Sequence, residues 1–336
     1  MNYILYPLQF DAPVHFGCAE NGGKLEQSSL TYRSDSLFGA LCCELTASGN
    51  VSGLQRLHDG AVKGNLVFSD LFPYISGEEN GLQLYLPKPV LQVKRTNQPI
   101  LHNEYMAFRK EATLQKKQKK LSYIQVSQLE LFLKSIKDGI PFTADDCSVS
   151  CEQLLVRVNC SAAIPNPYYV HQIQFMNNTG LYGIIGYENK EDRNWLLTLI
   201  ETLGLSGIGG KRSSGYGKFH FREDPIDMDE LGLYEDNAAL YQMLTRMDSS
   251  VYMCLSSLLP TTEEVACVKE GQYTLCRRSG FLTPDGGVMQ KKNDVYMIGA
   301  GSCFPKKING ILADVSGHVS HPVWRYGKGL YVGLVV

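Results

Sequence analysis

The sequence predicts an α+β fold, and three observations predict it. Short apolar segments rich in Tyr, Ile, Leu and Phe recur along the chain and read as strands. Between them lie stretches whose apolar residues return at helical spacing, each bounded by a polar cap or a glycine. The chain has 336 residues, 44% hydrophobic and 20% charged, which suits an ordinary folded protein of two domains.

Residues 3–10 alternate and form the first strand. Residues 11–17 leave it as a loop, and Asn21-Gly22-Gly23 makes a turn. Ser34 reads as an N-cap, with Asp35 in the same capping role, and Leu37, Phe38, Leu41, Cys42 and Leu45 share one helical face. Residues 65–75 and 82–86 read as strands. The region of about 90–140 is an insertion whose first part is polar, basic and weakly periodic. Within it Ser127-Gln128-Leu129-Glu130 matches a capping box, Leu129, Phe132, Leu133 and Ile136 form a stripe, and Gly139 ends the helix. Residues 153–160, 168–175 and 180–187 are strands, the last two meeting at the Asn177-Asn178-Thr179-Gly180 turn. Residues 191–203 are a helix striped by Trp195, Leu196, Leu199, Ile200 and Leu203, with Gly204 at its end. A glycine-rich loop and a short strand, 218–221, follow. Without the insertion the order is βαββαβ, the ferredoxin-like pattern that RNA-recognition modules also use.

The run 223–236 holds seven acids, no base and Pro225, and reads as a solvated linker. Beyond it, Ala239, Leu240, Met243, Leu244 and Met247 mark a helix, and 251–258, 272–278, 295–303 and 330–335 read as strands. These form a second, degenerate ferredoxin-like unit. The domains are therefore 1–222 with the insertion at about 90–140, the acidic linker 223–236, and 237–336.

Composition narrows the function. No run of about 18 apolar residues occurs, so no transmembrane helix and no membrane partner is expected. The N-terminus lacks a basic n-region, so no signal peptide is expected. Ten cysteines without any Cys-x-x-Cys argue against a zinc knuckle or redox pair and suit reduced thiols in a cytoplasmic protein. The net charge of −2 hides an asymmetry: residues 94–120 hold eight Lys or Arg against Glu104 and Glu111. That local charge permits a polyanion partner.

The stretch Gly207-Ile208-Gly209-Gly210-Lys211-Arg212-Ser213-Ser214-Gly215-Tyr216-Gly217-Lys218-Phe219-His220-Phe221 holds five glycines, two serines, three basic residues and no acid. Such a loop turns N–H groups, hydroxyls and cations outward, the groups that hold phosphate. It is not a P-loop, because Leu205 stands where the first glycine belongs and Arg212 where Ser or Thr follows the lysine. A dinucleotide fingerprint fails too, since Arg212 occupies its third glycine position. Gly215, Tyr216, Gly217 and Phe221 fit the RNP1 pattern, whereas Ser214 and Lys218 do not. The competing reading is a turn whose glycines serve tight packing.

This loop resembles the glycine-rich loop of the RAMP superfamily of CRISPR proteins. Three further stretches narrow the likeness: Pro13-Val14-His15-Phe16-Gly17, Ser34-Asp35-Ser36-Leu37-Phe38-Gly39-Ala40-Leu41, and His321-Pro322-Val323-Trp324-Arg325-Tyr326-Gly327-Lys328-Gly329. In that order, and over nearly the whole chain, they resemble the family of fourth Csm subunits of type III-A interference complexes. The resemblance implies two ferredoxin-like domains and a grip on the 5′ handle of the crRNA. It implies docking to the large polymerase/cyclase-like subunit and to the repeated backbone RAMP subunit. It also implies that the basic insertion is a thumb-like hairpin near the target RNA. Family subunits of this kind are not usually catalytic, the chain contains no Gly-Gly-Asp-Asp, and neither a metal nor a cofactor is expected.

Among individual residues, Lys211 and Arg212 are the first candidates for phosphate, one as a point charge and one as a bidentate fork. Ser213, Ser214 and the N–H groups of Gly209 and Gly210 add neutral hydrogen bonds, with Gly207 and Gly215 shaping the turn. Tyr216 either stacks on a base or packs under the loop. Arg33 borders a helix N-terminus and is a further RNA candidate. Lys94, Arg95, Arg109, Lys110, Lys116, Lys117, Lys119 and Lys120 either track backbone phosphates or form a solvated surface arm, and the scarcity of neighbouring acids favours the first. His321, Arg325 and Lys328 either line RNA or brace the domain interface, and Arg325 is counted with the RNA candidates. Trp195 and Trp324 read as core. His15 either hydrogen-bonds RNA or the loop, or serves as the general base of a RAMP-type metal-independent endoribonuclease.

Overall fold

A computed structural model of the chain describes all residues except 18–23, 78–80, 93–104, 139–141, 145–146, 161–163, 231–233, 283–288, 318, 320 and 336, and excludes the side chains of 105–108, 110, 111 and 115. The Asn21-Gly22-Gly23 turn, Gly139, Lys94, Arg95 and the Lys110 side chain therefore lie outside the described residues.

The first part runs β1 (Asn2–Phe10), α1 (Ser34–Ala47), α2 (Val51–Lys63), β2 (Leu66–Phe68), β3 (Phe72–Gly77), β4 (Gly81–Pro87), α3 (Tyr105–Lys120), β5 (Tyr123–Gln125), α4 (Leu129–Asp138), β6 (Ser150–Asn159), β7 (Asn166–Phe175), β8 (Thr179–Tyr187), α5 (Lys190–Ser206), β9 (Phe219–Phe221) and β10 (Ile226–Asp227). The second part holds α6 (Glu235–Thr245), β11 (Val251–Cys254), α7 (Val265–Lys269), β12 (Leu275–Arg278), β13 (Phe281–Leu282), β14 (Gln290–Lys291), β15 (Val295–Ile298), β16 (Cys303–Phe304), β17 (Gly310–Asp314), β18 (Trp324–Lys328) and β19 (Tyr331–Leu334).

The result is a mixed α/β protein with antiparallel sheets. The largest runs β10-β1-β8-β3-β4-β5, with β9 also on β1 and β2 also on β8. Its spine is β1 against β8, where Tyr3 faces Gly186 and Leu8 faces Leu181. Both strands are covered on both faces. Ile4, Tyr6, Leu8, Leu181 and Ile185 join one core with Leu37, Phe38 and Leu41 of α1 and Leu196, Ile200 and Leu203 of α5. Leu5, Tyr182 and Ile184 join the other with Leu129, Phe132 and Leu133 of α4 and Leu240 and Met243 of α6.

The α1 stripe falls where the spacing predicts, but Ser34 and Asp35 do not cap it. The N-cap is Arg33, without a side-chain cap bond. A cap contributes about 1 kcal/mol, whereas each buried Leu or Phe contributes roughly 1.5–3 kcal/mol, so the stripe suffices. The sequence reading omits α2, although Leu54, Leu57 and Ala61 recur at helical spacing between Asn50 and Gly64; its buried residues are Gly53, Leu57 and Ala61, and Asn50 caps it by accepting from Gly53 N at 2.8 Å. The strand expected over 65–75 divides into β2 and β3, because Asp70 N–H and Leu71 N–H turn away to Leu255 O and Tyr32 O.

The described part of the 90–140 insertion is mostly helical, as α3 and α4, and β5 adds one short strand to β4. A hairpin is not its form: residues 105–120 are dominated by good helix formers such as Ala, Leu, Gln and Lys. The long hairpin is instead β6–β7, which follows it.

The acidic run mixes exposed and structural residues. Glu223, Asp224, Asp229 and Glu230 are exposed. Asp227 pairs with Arg193 at 2.7 Å, and the buried Asp236 accepts from Leu84 N at 2.8 Å and Ser127 N at 2.9 Å. In the second part β17 and β18 are strands that the sequence reading lacks. They bring Tyr326 into the first core, stacked on Phe38 with centroids 5.2 Å apart and accepting from Phe68 N at 2.9 Å.

Candidate nucleic-acid interface

The glycine loop is built around its own backbone before it meets any ligand. At the end of α5, Gly207 N–H donates to Leu203 O at 2.8 Å and the chain turns out at φ 78°. Ile208 N–H closes the loop on Gly217 O at 3.0 Å, and Ile208 is buried. Residues 13–16 run beneath: Gly210 N–H donates to His15 O at 2.8 Å, and Gly217 N–H to Pro13 O at 3.0 Å. A Cβ on Gly209 would stand 2.6 Å from His15 O, and one on Gly217 only 2.0 Å from Ile208 O. These glycines therefore serve close packing within the chain, and the Gly210 N–H points inward to His15 O rather than to an outside anion.

What the loop presents is its tip. Arg212–Ser214 form a single 3-10 turn with all three side chains exposed, and Gly215 follows at φ 86° with open space around it. Lys211 is half-buried, in the left-handed region at φ 60°. Its Nζ lies 3.4 Å from Tyr168 Oη and 4.7 Å from the Tyr168 ring centroid. Tyr216 packs under the loop, where its buried hydroxyl donates to Gln172 Oε1 at 2.7 Å. A buried phenol needs such an acceptor.

His15 is 3% exposed, and its Nδ1 lies 2.8 Å from His171 O. A carbonyl only accepts, so Nδ1 carries a proton and donates to it. Tyr32 joins the loop to the α1 edge. Burial pushes its phenol up to about 12, against a hydrogen bond from Gly209 N–H that lowers it, and Arg212 acts on it from the loop side. Arg33, beside it, is half-buried and donates to Cys276 Sγ.

Arg325 is 6% exposed. Its Nη1 donates to Asp35 Oδ2 at 2.7 Å, so of the two roles read from the sequence its geometry is that of a brace. Arg278 Nε reaches the same oxygen at 2.9 Å, and Arg278 Nη2 reaches Oδ1 at 3.0 Å. Asp70 lies close by, accepting from Ser34 N at 2.8 Å and Ser257 N at 3.0 Å. Along α3, Arg109, Lys116, Lys117, Lys119 and Lys120 are exposed.

The structure thus brings His15 and Gly207 through Tyr216 together, sets Arg33 next to Tyr32 and in reach of Cys276, and buries Arg325 on Asp35. Sequence reading missed Tyr168 as the seat of Lys211 and Asp35 as an ion-pair centre. The paired tyrosines Tyr168-Tyr169 on β7 are the only local signal for the first, and nothing local signals the second. A His-Asp dyad, which the sequence reading counts as absent, does stand on α2, where His58 Nδ1 meets Asp59 Oδ1 at 2.9 Å. Among the described residues no cluster of three or more His, Cys, Asp or Glu is placed to hold a metal, and no helix is long and apolar enough to cross a membrane.

Comparison with known proteins follows the same lines. A family model described as the CRISPR Csm4 C-terminal domain matches residues 247–334. The CRISPR system Cms protein Csm4 of Mycobacterium tuberculosis is 30% identical over 347 residues, covering 99% of this chain and 98% of its own. The Csm4 of Streptococcus thermophilus is 30% identical over 339 residues and covers 100% of both. Among solved structures, a chain of a Csm3-Csm4 subcomplex in the type III-A CRISPR-Cas interference complex superposes with a TM-score of 0.63 at 18% identity, over 100% of both chains. A chain of a Csm1-Csm4 cassette in complex with pppApA gives 0.59 at 20% identity, over 100% of this chain and 99% of that one. The structures speak for the fold, and the end-to-end relatives speak for descent: the chain belongs to the Csm4 family of CRISPR system proteins.

Proposed function

We propose that the chain is a non-catalytic RNA-binding subunit of a type III-A CRISPR interference complex and grips the 5′ handle of the crRNA. The observation that carries this reading is the exposed Arg212–Ser214 turn, with Lys211 beside it, on a loop whose base is bonded to residues 13–16. An anion at that turn meets a guanidinium fork, an ammonium and two hydroxyls whose backbone is already fixed. Little ordering is left to oppose binding.

The strand order β9 or β10, β1, β8, then β2 or β3 supports a ferredoxin-like first domain, with the second a degenerate copy. The relatives solved with Csm1 and with Csm3 support docking to the large polymerase/cyclase-like subunit and to the repeated backbone RAMP subunit. The exposed cations of α3 support a contact with target RNA at the insertion.

The burial of His15 supports a non-catalytic role, because a general base must reach a substrate hydroxyl. Incubating the purified chain with CRISPR repeat RNA in EDTA tests this. Intact RNA is expected. Cleavage that His15→Ala abolishes would replace the scaffold reading with the endoribonuclease. RNA retention in the assembled complex tests the grip: it should fall in the Lys211→Ala, Arg212→Ala double variant at matched folding.

A further inference from the structure

The β6–β7 ribbon pairs over its whole length, from Ser150 opposite Phe175 to Asn159 opposite Asn166. Side chains alternate across a strand, so this register sorts the ribbon into two faces. One face carries Leu154, Val156, Val158 and Tyr169, all exposed. The other carries Gln153, Arg157, Tyr168 and Gln172, and the glycine loop lies on it. Two links fix that seat. Tyr216 Oη donates to Gln172 Oε1 at 2.7 Å, and Gln172 Nε2 donates to Gln153 Oε1 at 3.0 Å. Nearer the ribbon's tip, Lys211 Nζ sits 4.7 Å from the Tyr168 ring centroid. Arg157 stands directly opposite Tyr168 in the ladder and is exposed.

We propose that Tyr168 and Arg157 form a base-stacking platform for the strand of RNA whose phosphates the glycine loop holds. This rests on the RNA-binding reading of that loop. An ammonium over a tyrosine ring is a weak contact, and a phosphate oxygen is the stronger partner for it. When a phosphate draws Lys211 from the ring, the exposed π-face takes a nucleobase, with the Arg157 guanidinium alongside. Asn159 and Asn166, paired at the end of the ladder and exposed, supply amides for base edges. An aromatic face and an arginine beside a phosphate cradle suit single-stranded RNA, whose unstacked bases offer π-faces.

The test uses the full-length chain and two probes: labelled single-stranded repeat RNA, and the same RNA with abasic sugars in place of its bases. Tyr168→Ala should weaken binding of the intact RNA roughly ten- to a hundred-fold, and Tyr168→Phe should retain it. On the abasic RNA, Tyr168→Ala and the unaltered chain should bind equally. Arg157→Ala should weaken the intact RNA more than the abasic one. Thermal melting of each variant checks folding. If Tyr168→Ala binds intact RNA as well as the unaltered chain while Lys211→Ala with Arg212→Ala loses it, the platform is wrong and the loop reading stands. Equal losses on both probes would mean that Tyr168 only positions Lys211, which also overturns the platform. Unimpaired binding by the double variant would remove the loop reading and the platform together.

Discussion

Arg325 and Asp35 lie 290 positions apart in sequence and 2.7 Å apart in space, Nη1 to Oδ2, tying β18 to the first turn of α1. Arg278 adds a bidentate pair of bonds to the same carboxylate. Burial alone would raise the Asp35 pKa, but the two guanidiniums more than reverse it and hold the carboxyl below its ordinary 3.8. Removing the carboxylate strands two buried cations, a change that costs about 3–5 kcal/mol. Asp35→Asn is therefore expected to lose several kcal/mol in urea unfolding at neutral pH. A depressed folded pKa adds stability that is present above 3.8 and is lost as pH falls through the folded value. The gap between the unaltered chain and the variant should accordingly close in acid. An unchanged urea midpoint for the variant at neutral pH would show that the triad contributes nothing.

Asp70 should behave in the opposite sense. Its pKa is raised, by burial first and by Asp35 after it, against the pull of Arg33 and the hydrogen bond from Ser34. A raised folded value means that the contribution is full below 3.8 and is lost as pH rises through the folded pKa. Asp70→Asn keeps a carbonyl oxygen for Ser34 N–H and Ser257 N–H and removes a buried charge. At neutral pH its urea midpoint should equal or exceed that of the unaltered chain. A drop of several kcal/mol would show that attraction to Arg33 outweighs desolvation.

These two carboxylates mark the boundary of what the sequence displays. The helices α1 and α5 are legible because each buries one stripe, and β1 because residues 3–10 are rich in Tyr, Ile, Leu and Phe. The break between β2 and β3 is not legible, since it depends on Leu255 O and Tyr32 O accepting from Asp70 and Leu71. The strand β18 is hidden by Arg325, a charge between Trp324 and Tyr326 that reads as exposed until its distant partner is known. Asp236 is hidden in the same way, as one acid among seven whose acceptor role depends on Leu84 and Ser127. In the glycine loop, the residue types are legible but their assignment is not. His15 and Phe16 beneath it, and Ile208 and Tyr216 across it, decide which glycines meet backbone and which meet open space.

That assignment separates two glycine substitutions. At Gly217 an added Cβ would meet Ile208 O at 2.0 Å, and φ is 76°. At Gly215 nothing lies within 4 Å, although φ is 86°. Gly215→Ala should carry only the left-handed backbone cost of about 1–2 kcal/mol. Gly217→Ala adds a backbone collision and should destabilise clearly more in paired urea titrations. Equal losses would mean that the loop base yields at Ile208 and is not held rigid there.

The phosphate role of the tip has its own signature in salt. Each phosphate contact to a single strand contributes about 0.7 to the slope of log affinity against log salt. Losing both Lys211 and Arg212 to alanine should therefore flatten the slope for single-stranded repeat RNA by about 1.4. Arg212→Lys should keep the slope, since the charge remains, yet weaken binding, since an ammonium cannot reproduce a bidentate fork. Fluorescence anisotropy across a potassium chloride series reads both quantities. Parallel slopes for the double variant and the unaltered chain would show that the Arg212–Ser214 turn touches no phosphate. The exposed α3 lysines would then be the cations to examine for the RNA backbone.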